Sequence, residues 1–498
     1  MTAEPVPRNE GAAWSDRVNP IVIKELRQAV RSRFVVAALL TLLVVQLAAM
    51  GLYLLTAAGS ILDFTAGRSA FLLLYAILLA VSLLFVPLYT ALRLAAERSD
   101  SNVDLLFITT IKPRSIIAGK MLAAFMLTLL IFSACTPFMT FTFFLRGIDL
   151  LSIFAALGFG FTVVLACTQM AVLLASLPLN RAFKAALGVF ALIILTGFYF
   201  AILSWIGRVL FGSPYAVAAF WKTMIILLTI IVFLAGLCFA ISAALTMPVA
   251  ANRAPIVRLF VTGAWALVGA AAVIDSQVGK RHDSVMGWQI LFNLVFAASL
   301  LAAVSERDRP GARVLRAVPR SPAKRAISFL FYSGAASGLA WTATMIPLTL
   351  GLAWGWVRLF PSRNGFQDLA GSVKWLGGMN LYFFCYALSG ALLRRHLLKR
   401  IGGQWTWIIS VALMILGIVL PAMVGYLLFS GDKWWMEDLG PWFVGNPFAW
   451  SVKDHRRLYF SVAGAWAVLA AAFSLPWFLE RAQSFGVPPS GGRSLPDE

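Results

Sequence analysis

Phe34-Val-Val-Ala-Ala-Leu-Leu-Thr-Leu-Leu-Val-Val-Gln46-Leu-Ala-Ala-Met-Gly-Leu-Tyr-Leu-Leu-Thr-Ala57 is an apolar run with one amide and no charge. A helix crossing the hydrocarbon core of a bilayer needs about 20 such residues, at a rise of about 1.5 Å each. Upstream, Arg31 and Arg33 close a basic stretch. Downstream, runs of the same kind recur at 70–92, 121–145, 151–177, 184–206, 223–247, 259–276, 287–304, 327–357, 376–393, 404–430 and 458–478. Membrane-spanning strands would give segments of about 10 residues alternating with period two, and no such pattern is visible. The sequence therefore reads as an all-α polytopic membrane protein with about 12 transmembrane helices.

Composition points the same way. Hydrophobic residues make up 60% of the 498 and charged residues 12%, against about 45–50% and about 25% in soluble domains. The chain does not read as a soluble enzyme. Its four cysteines, Cys135, Cys167, Cys238 and Cys385, all lie inside apolar runs without CxxC spacing. They read as buried thiols rather than a disulfide framework or zinc site. The first apolar run is too long for a signal h-region and is expected to remain as an anchor. Residues 1–18 and 483–498 read as a disordered cytoplasmic arm and tail.

The net charge of +20 has two readings. Nucleic-acid binding is not expected, because no folded soluble domain carries the charge. The positive-inside rule explains it instead. With both termini cytoplasmic, 28 of the 41 Lys and Arg residues fall on the inner side and 13 on the outer. The loop from Ser305 to Arg325 alone holds Arg307, Arg309, Arg313, Arg316, Arg320, Lys324 and Arg325. Topology and anionic lipid account for this loop first, and a protein-docking surface is the alternative.

Intramembrane charges would mark proton relays or ion pathways, and none is evident here. Arg146, Arg208 and Asp275 fall at span ends, and His282, His396 and His455 in loops or at span edges. Gln46, Gln169 and Asn293 are the mid-span polar groups. There is no HExxH, Walker A or GxSxG sequence. Pro87, Pro137, Pro347 and Pro421 fall within spans, where neighbouring helices re-satisfy the freed carbonyls. Gly334 with Gly338, and Gly351 with Gly355, set small-residue spacings for close helix packing within the chain. The outer segment Gly431 to Arg457 holds Trp434, Trp435, Trp442 and Trp450, read as an interfacial belt or, alternatively, a lid.

Two cytoplasmic elements carry more specific information. Asn19-Pro-Ile-Val-Ile-Lys-Glu-Leu-Arg-Gln-Ala-Val-Arg-Ser-Arg33 has a good N-cap and a good first helical residue. Val22, Ile23, Leu26, Ala29 and Val30 share one arc, and Lys24, Arg27, Gln28 and Arg31 the opposite one. This predicts an amphipathic helix lying in the interface and feeding the first span. The second element, Glu97 to Lys120, predicts a short helix capped by Asp100 or Ser101 and stopped at Pro113. Val103, Leu106 and Phe107 form its apolar face. An exposed apolar face on a cytoplasmic loop needs a partner, unless it tucks against the membrane.

Both elements resemble the permease subunits of ABC-2-type ABC transporters. Asn19-Pro20, with Lys24, Glu25, Arg27 and Arg31, resembles their elbow helix. Asp104-Leu-Leu-Phe-Ile-Thr-Thr, followed by Pro113 and Gly119-Lys120, resembles their coupling helix, with Asp104 for the more usual Glu and Thr110 where Pro is common. The resemblance covers residues 19–250 and implies a six-span permease unit. It also implies a separate ATPase subunit docked on Glu97, Val103, Asp104, Leu106 and Phe107, and no cofactor in this chain. Residues 251–482 read as a second six-span membrane unit of unknown kind, without an echo of Asp104-Leu-Leu. Two arrangements are open: the chain supplies both units, or it supplies one unit with an appended half and pairs with a second permease copy. The expected function is ATP-driven transport, most readily export, across the bacterial inner membrane. The alternatives are a twelve-span secondary transporter and a membrane-embedded lipid-modifying enzyme. The first lacks the intramembrane charge it needs, and the second lacks a convergent His, Asp or Glu cluster.

Overall fold

The computed structural model describes residues 20–56, 65–97, 113–178, 180–212, 218–248, 251–279, 282–307, 312–360, 366–428, 440–448 and 456–486. Among these there is no strand. Twelve helices are long and apolar enough to cross a membrane. The chain divides into two compact units, Met1–Pro248 and Val249–Glu498.

In the first unit a short helix, α1 (Pro20–Arg31), precedes six spans: α2 (Arg33–Thr56), α3 (Ala66–Glu97), α4 (Pro113–Phe141), α5 (Leu150–Ser176), α6 (Arg181–Gly212) and α7 (Ala218–Leu245). The bundle is built around α3 and α5. Phe71, Leu74, Tyr75 and Leu78 of α3 pack with Ile153, Ala156 and Val163 of α5. Gly160 lets the Tyr75 ring approach, since a Cβ there would lie 2.5 Å from the phenolic oxygen. The Tyr75 hydroxyl donates to the Ala156 carbonyl at 3.1 Å. Asp149 caps α5 by accepting from the Ser152 N–H at 3.0 Å, which satisfies a donor that hydrocarbon would leave orphaned. Outward positions of α2 and α6, such as Leu47, Leu55, Ile193 and Phe200, are exposed and apolar, as a lipid-facing surface requires.

The second unit holds α8 (Ala254–Gly279), α9 (Asp283–Ala303), α10 (Ala312–Arg316), α11 (Pro322–Phe331), α12 (Ala335–Leu359), α13 (Phe366–His396), α14 (Thr406–Leu428) and α15 (Arg456–Ser484). Its interior contains a polar ladder between α9 and α13. Gln289 bonds Ser372, and the Asn380 side-chain amide donates to Asn293 Oδ1 at 3.1 Å. Tyr386 on α13 donates to the Gly445 carbonyl at 2.6 Å, and Tyr382 bonds the Val444 carbonyl. These bonds draw segment 440–448 onto the bundle. Trp442 is half-buried there, and Trp434, Trp435 and Trp450 lie outside the described residues.

Two expectations need correction. The run 327–357 is not one helix, because α11 ends at Phe331 and α12 begins at Ala335. Gly334, at φ +151°, breaks the helix in a conformation that favours glycine. Pro113 opens α4, and the short helix expected ahead of it lies outside the described residues. Residues 483–486 are not disordered tail: α15 runs to Ser484, and Phe485 packs on Phe329 and Tyr332.

The glycine spacing also divides. A Cβ at Gly338 would lie 2.6 Å from that of Ala303, so this glycine sets the approach of α12 to α9. Gly351 and Gly355 face open space. Cys135, Cys238 and Cys385 are buried, Cys167 is half-buried, and all four are free thiols.

Candidate functional site

The entry helix and the described end of the second element, Pro113 to Lys120, meet at one end of the first unit. Helix α1 packs on α4 and, after a break at Ser32, continues as α2. Lys24, Arg27 and Arg31 are exposed, as the amphipathic pattern predicts. Val22 is buried, and so is Glu25. The arc facing the bundle therefore carries a carboxylate.

Glu25 is compensated by Lys120, on the first turns of α4. Lys120 Nζ lies 3.0 Å from Glu25 Oε1, with side-chain exposures of 1% and 8%. Leaving either charge without its counterion in so dry a site would cost several kcal/mol, so the geometry of the pair fixes α1 on α4. A second tie runs to α3: Arg93 bonds the Gln28 side-chain oxygen and lies over the Tyr89 ring, 5.2 Å from its centroid. Beside the ion pair is a cavity of about 20 Å³ lined by Glu25, Tyr89, Thr90, Arg93 and Lys120. That is room for one water-sized group. The Tyr89 hydroxyl is buried with no hydrogen-bond partner among the described residues.

Next to this knot a larger groove of about 850 Å³ opens between α1, the start of α2 and α3. Phe34, Val81, Phe85 and Leu88 form apolar walls, and Lys24 and Arg93 line it as cations. Chemically it suits a hydrocarbon chain with an anionic group at the basic edge.

Of the remaining sequence-derived site residues, Glu97 is the last residue of α3. Val103, Asp104, Leu106 and Phe107 lie outside the described residues. The structure thus joins Glu25 to Lys120 and gives no account of the apolar docking face.

Sequence reading missed a second polar knot. Arg258, on the first turns of α8, is 3% exposed. Its Nη2 donates to both Glu306 carboxylate oxygens at 2.6 Å. Its Nη1 donates to the Leu330 and Tyr332 carbonyls at 2.9 and 2.6 Å and to Ser337 Oγ at 3.1 Å. Glu306 also accepts from the Gly334 N–H at 2.8 Å. Ser333 Oγ accepts from the Arg253 and Ala254 N–H groups and donates to Asn252. This network holds the break between α11 and α12. Counting charges by membrane side hides such a residue, because Arg258 adds to the positive-inside total whether it faces water or a carboxylate.

The described residues define a multi-pass α-helical membrane protein of twelve candidate spans, with ion pairs buried near span ends. Comparison with protein-family models, with curated proteins and with solved structures found no match.

Proposed function

We propose that the chain is the membrane permease subunit of an ATP-driven ABC transporter, acting in export and coupled to a separate ATPase subunit. Its place would be the bacterial inner membrane, with both termini cytoplasmic. The observation that supports this reading is the Glu25–Lys120 pair. It joins the amphipathic entry helix to the first turns of α4, the helix fed by the segment that resembles a coupling helix. Movement of that segment would reach α1 through the ion pair and α3 through the chain itself. Two helix-bundle states can be exchanged by such a device. ATP hydrolysis is assigned to the partner, because the sequence carries no phosphate-cradling glycine loop.

The test is recovery of the ATPase. An apolar anchor at a docking surface contributes about 2 kcal/mol or more, and Phe107→Asp places a charge there. The variant should reach the membrane at normal levels and fail to copurify the ATPase. Asp104→Ala should retain it, since a single exposed carboxylate is worth about 0–1 kcal/mol. Full transport and normal ATPase recovery with Phe107→Asp would remove the reading.

A further inference from the structure

We infer that the groove between α1, α2 and α3 is a binding site for one anionic glycerophospholipid, held as a resident ligand that ties the entry helix to α3. The inference is independent of the transport reading, since it concerns only the residues that line this groove.

Its apolar wall is the first observation. Val81, Leu84, Phe85, Leu88 and Leu92 line the groove from α3. Their spacing of i, i+3, i+4, i+7 and i+11 sets them on one helical stripe. At about 1.5 Å per residue the stripe runs for roughly 16 Å along the span. Leu84, Leu88 and Leu92 are exposed. Phe34 of α2 adds a ring 5.4 Å from that of Phe85.

The charge lies at one end of that stripe. Lys24 and Gln28, one turn apart on α1, line the groove together with Arg93, which follows Leu92 near the end of the span. Gln28 spends its side-chain oxygen on Arg93, so what its amide still offers is N–H. Among the described residues no carboxylate lines the groove, and the nearby acid, Glu25, is paired with Lys120. Two cations and an amide donor, without a competing carboxylate, match the acceptor oxygens of a phosphate.

The two ends together select the occupant. A soluble anion would use the basic edge and leave the apolar stripe uncovered. A zwitterionic lipid would cover the stripe but bring a cation of its own to the cationic edge. A phospholipid of net negative charge satisfies both ends. The volume of about 850 Å³ falls within the range of about 300–1,000 Å³ usual for ligand pockets. A ligand there touches α1, α2 and α3 at once, the junction that the Gln28–Arg93 bond also ties.

The experiment uses the full chain, purified and given an equimolar mixture of phosphatidylglycerol and phosphatidylcholine. Native mass spectrometry should find one phosphatidylglycerol retained per chain. Phosphatidylglycerol should also raise the thermal unfolding temperature more than phosphatidylcholine does. Leu88→Trp, which fills the groove without touching its charges, should abolish both effects. Lys24→Gln should weaken retention roughly fivefold, the worth of one basic residue at an anionic lipid surface. A small diazirine-bearing aliphatic residue at position 88 should yield a lipid adduct in native membranes. Equal retention of the two lipids, or retention unchanged in both variants, would overturn the inference. So would saturation of the site by glycerophosphoglycerol, the head group without its chains, which would mark a site for anions only. A protein adduct from position 88, with a second copy of this chain or with another partner, would assign the groove to a protein contact and overturn it too.

Discussion

Glu25 and Lys120 are 95 positions apart in sequence and 3.0 Å apart in the fold, and both side chains are almost wholly excluded from solvent. A buried pair of this kind stabilises little relative to a well-packed apolar pair, yet removing one partner is costly. Glu25→Ala or Lys120→Met should each lower stability by roughly 3–5 kcal/mol. The double variant Glu25→Met/Lys120→Met should lose less than either single one. Thermal unfolding of the detergent-solubilised proteins reads the difference. Strictly additive losses would mean that the two charges are not coupled.

Packing of α3 on α5 depends on the absent side chain at Gly160. Gly160→Ala would press a methyl group onto the rigid, fully buried Tyr75 ring. A loss of about 1–3 kcal/mol is expected from overpacking. Tyr75→Phe alone should cost about 0.5–1.5 kcal/mol, the worth of one hydrogen bond. Combined with Gly160→Ala it should restore part of the loss, because the hydroxyl nearest the new methyl is gone. The same unfolding assay decides, and a double variant worse than the sum of the two would contradict the geometry.

Arg258 uses a planar fork that lysine cannot reproduce. Arg258→Lys keeps the charge but leaves several of the Leu330, Tyr332, Ser337 and Glu306 acceptors without a donor. Its expected cost is about 1–3 kcal/mol, the desolvation penalty of an unsatisfied buried group. Limited proteolysis should then cut the 332–334 turn faster than in the parent. Equal cutting rates would show that the turn does not depend on the guanidinium.

Sidedness follows from the positive-inside rule. A cysteine at exposed Arg316 should be labelled by a membrane-impermeant reagent only after the cells are opened. A cysteine at exposed Phe448 should be labelled from outside intact cells. The reverse pattern would invert the orientation of the whole chain and place the α1 knot on the outer face.

How far the sequence alone could go varied with the kind of residue. The runs that became α2, α5 and α7 were legible because lipid imposes a length and an apolar character on every span. The entry helix was legible from its periodicity, with Lys24, Arg27 and Arg31 on the exposed arc. Glu25 was not placed by that pattern. A lone acid near an apolar arc signals that some buried base exists, but not which one. The run at 327–357 misled for a related reason: hydropathy continues smoothly through Tyr332, Ser333 and Gly334, while the chain turns there to meet Arg258 and Glu306.

By itself, then, the sequence determined that this chain is helical, carries twelve runs long and apolar enough to cross a membrane and enters the first of them through an amphipathic helix. Those are consequences of local composition acting against one uniform solvent, the bilayer. Only the tertiary structure decided that Glu25 belongs to Lys120 and that Arg258 belongs to Glu306. It alone revealed that in each unit the second and fourth spans pack on one another and on the third and fifth. Pairings of that kind are between residues far apart in the chain, fixed by which helix faces come together. A bilayer that treats all apolar surfaces alike leaves no trace of that choice in any single stretch of sequence.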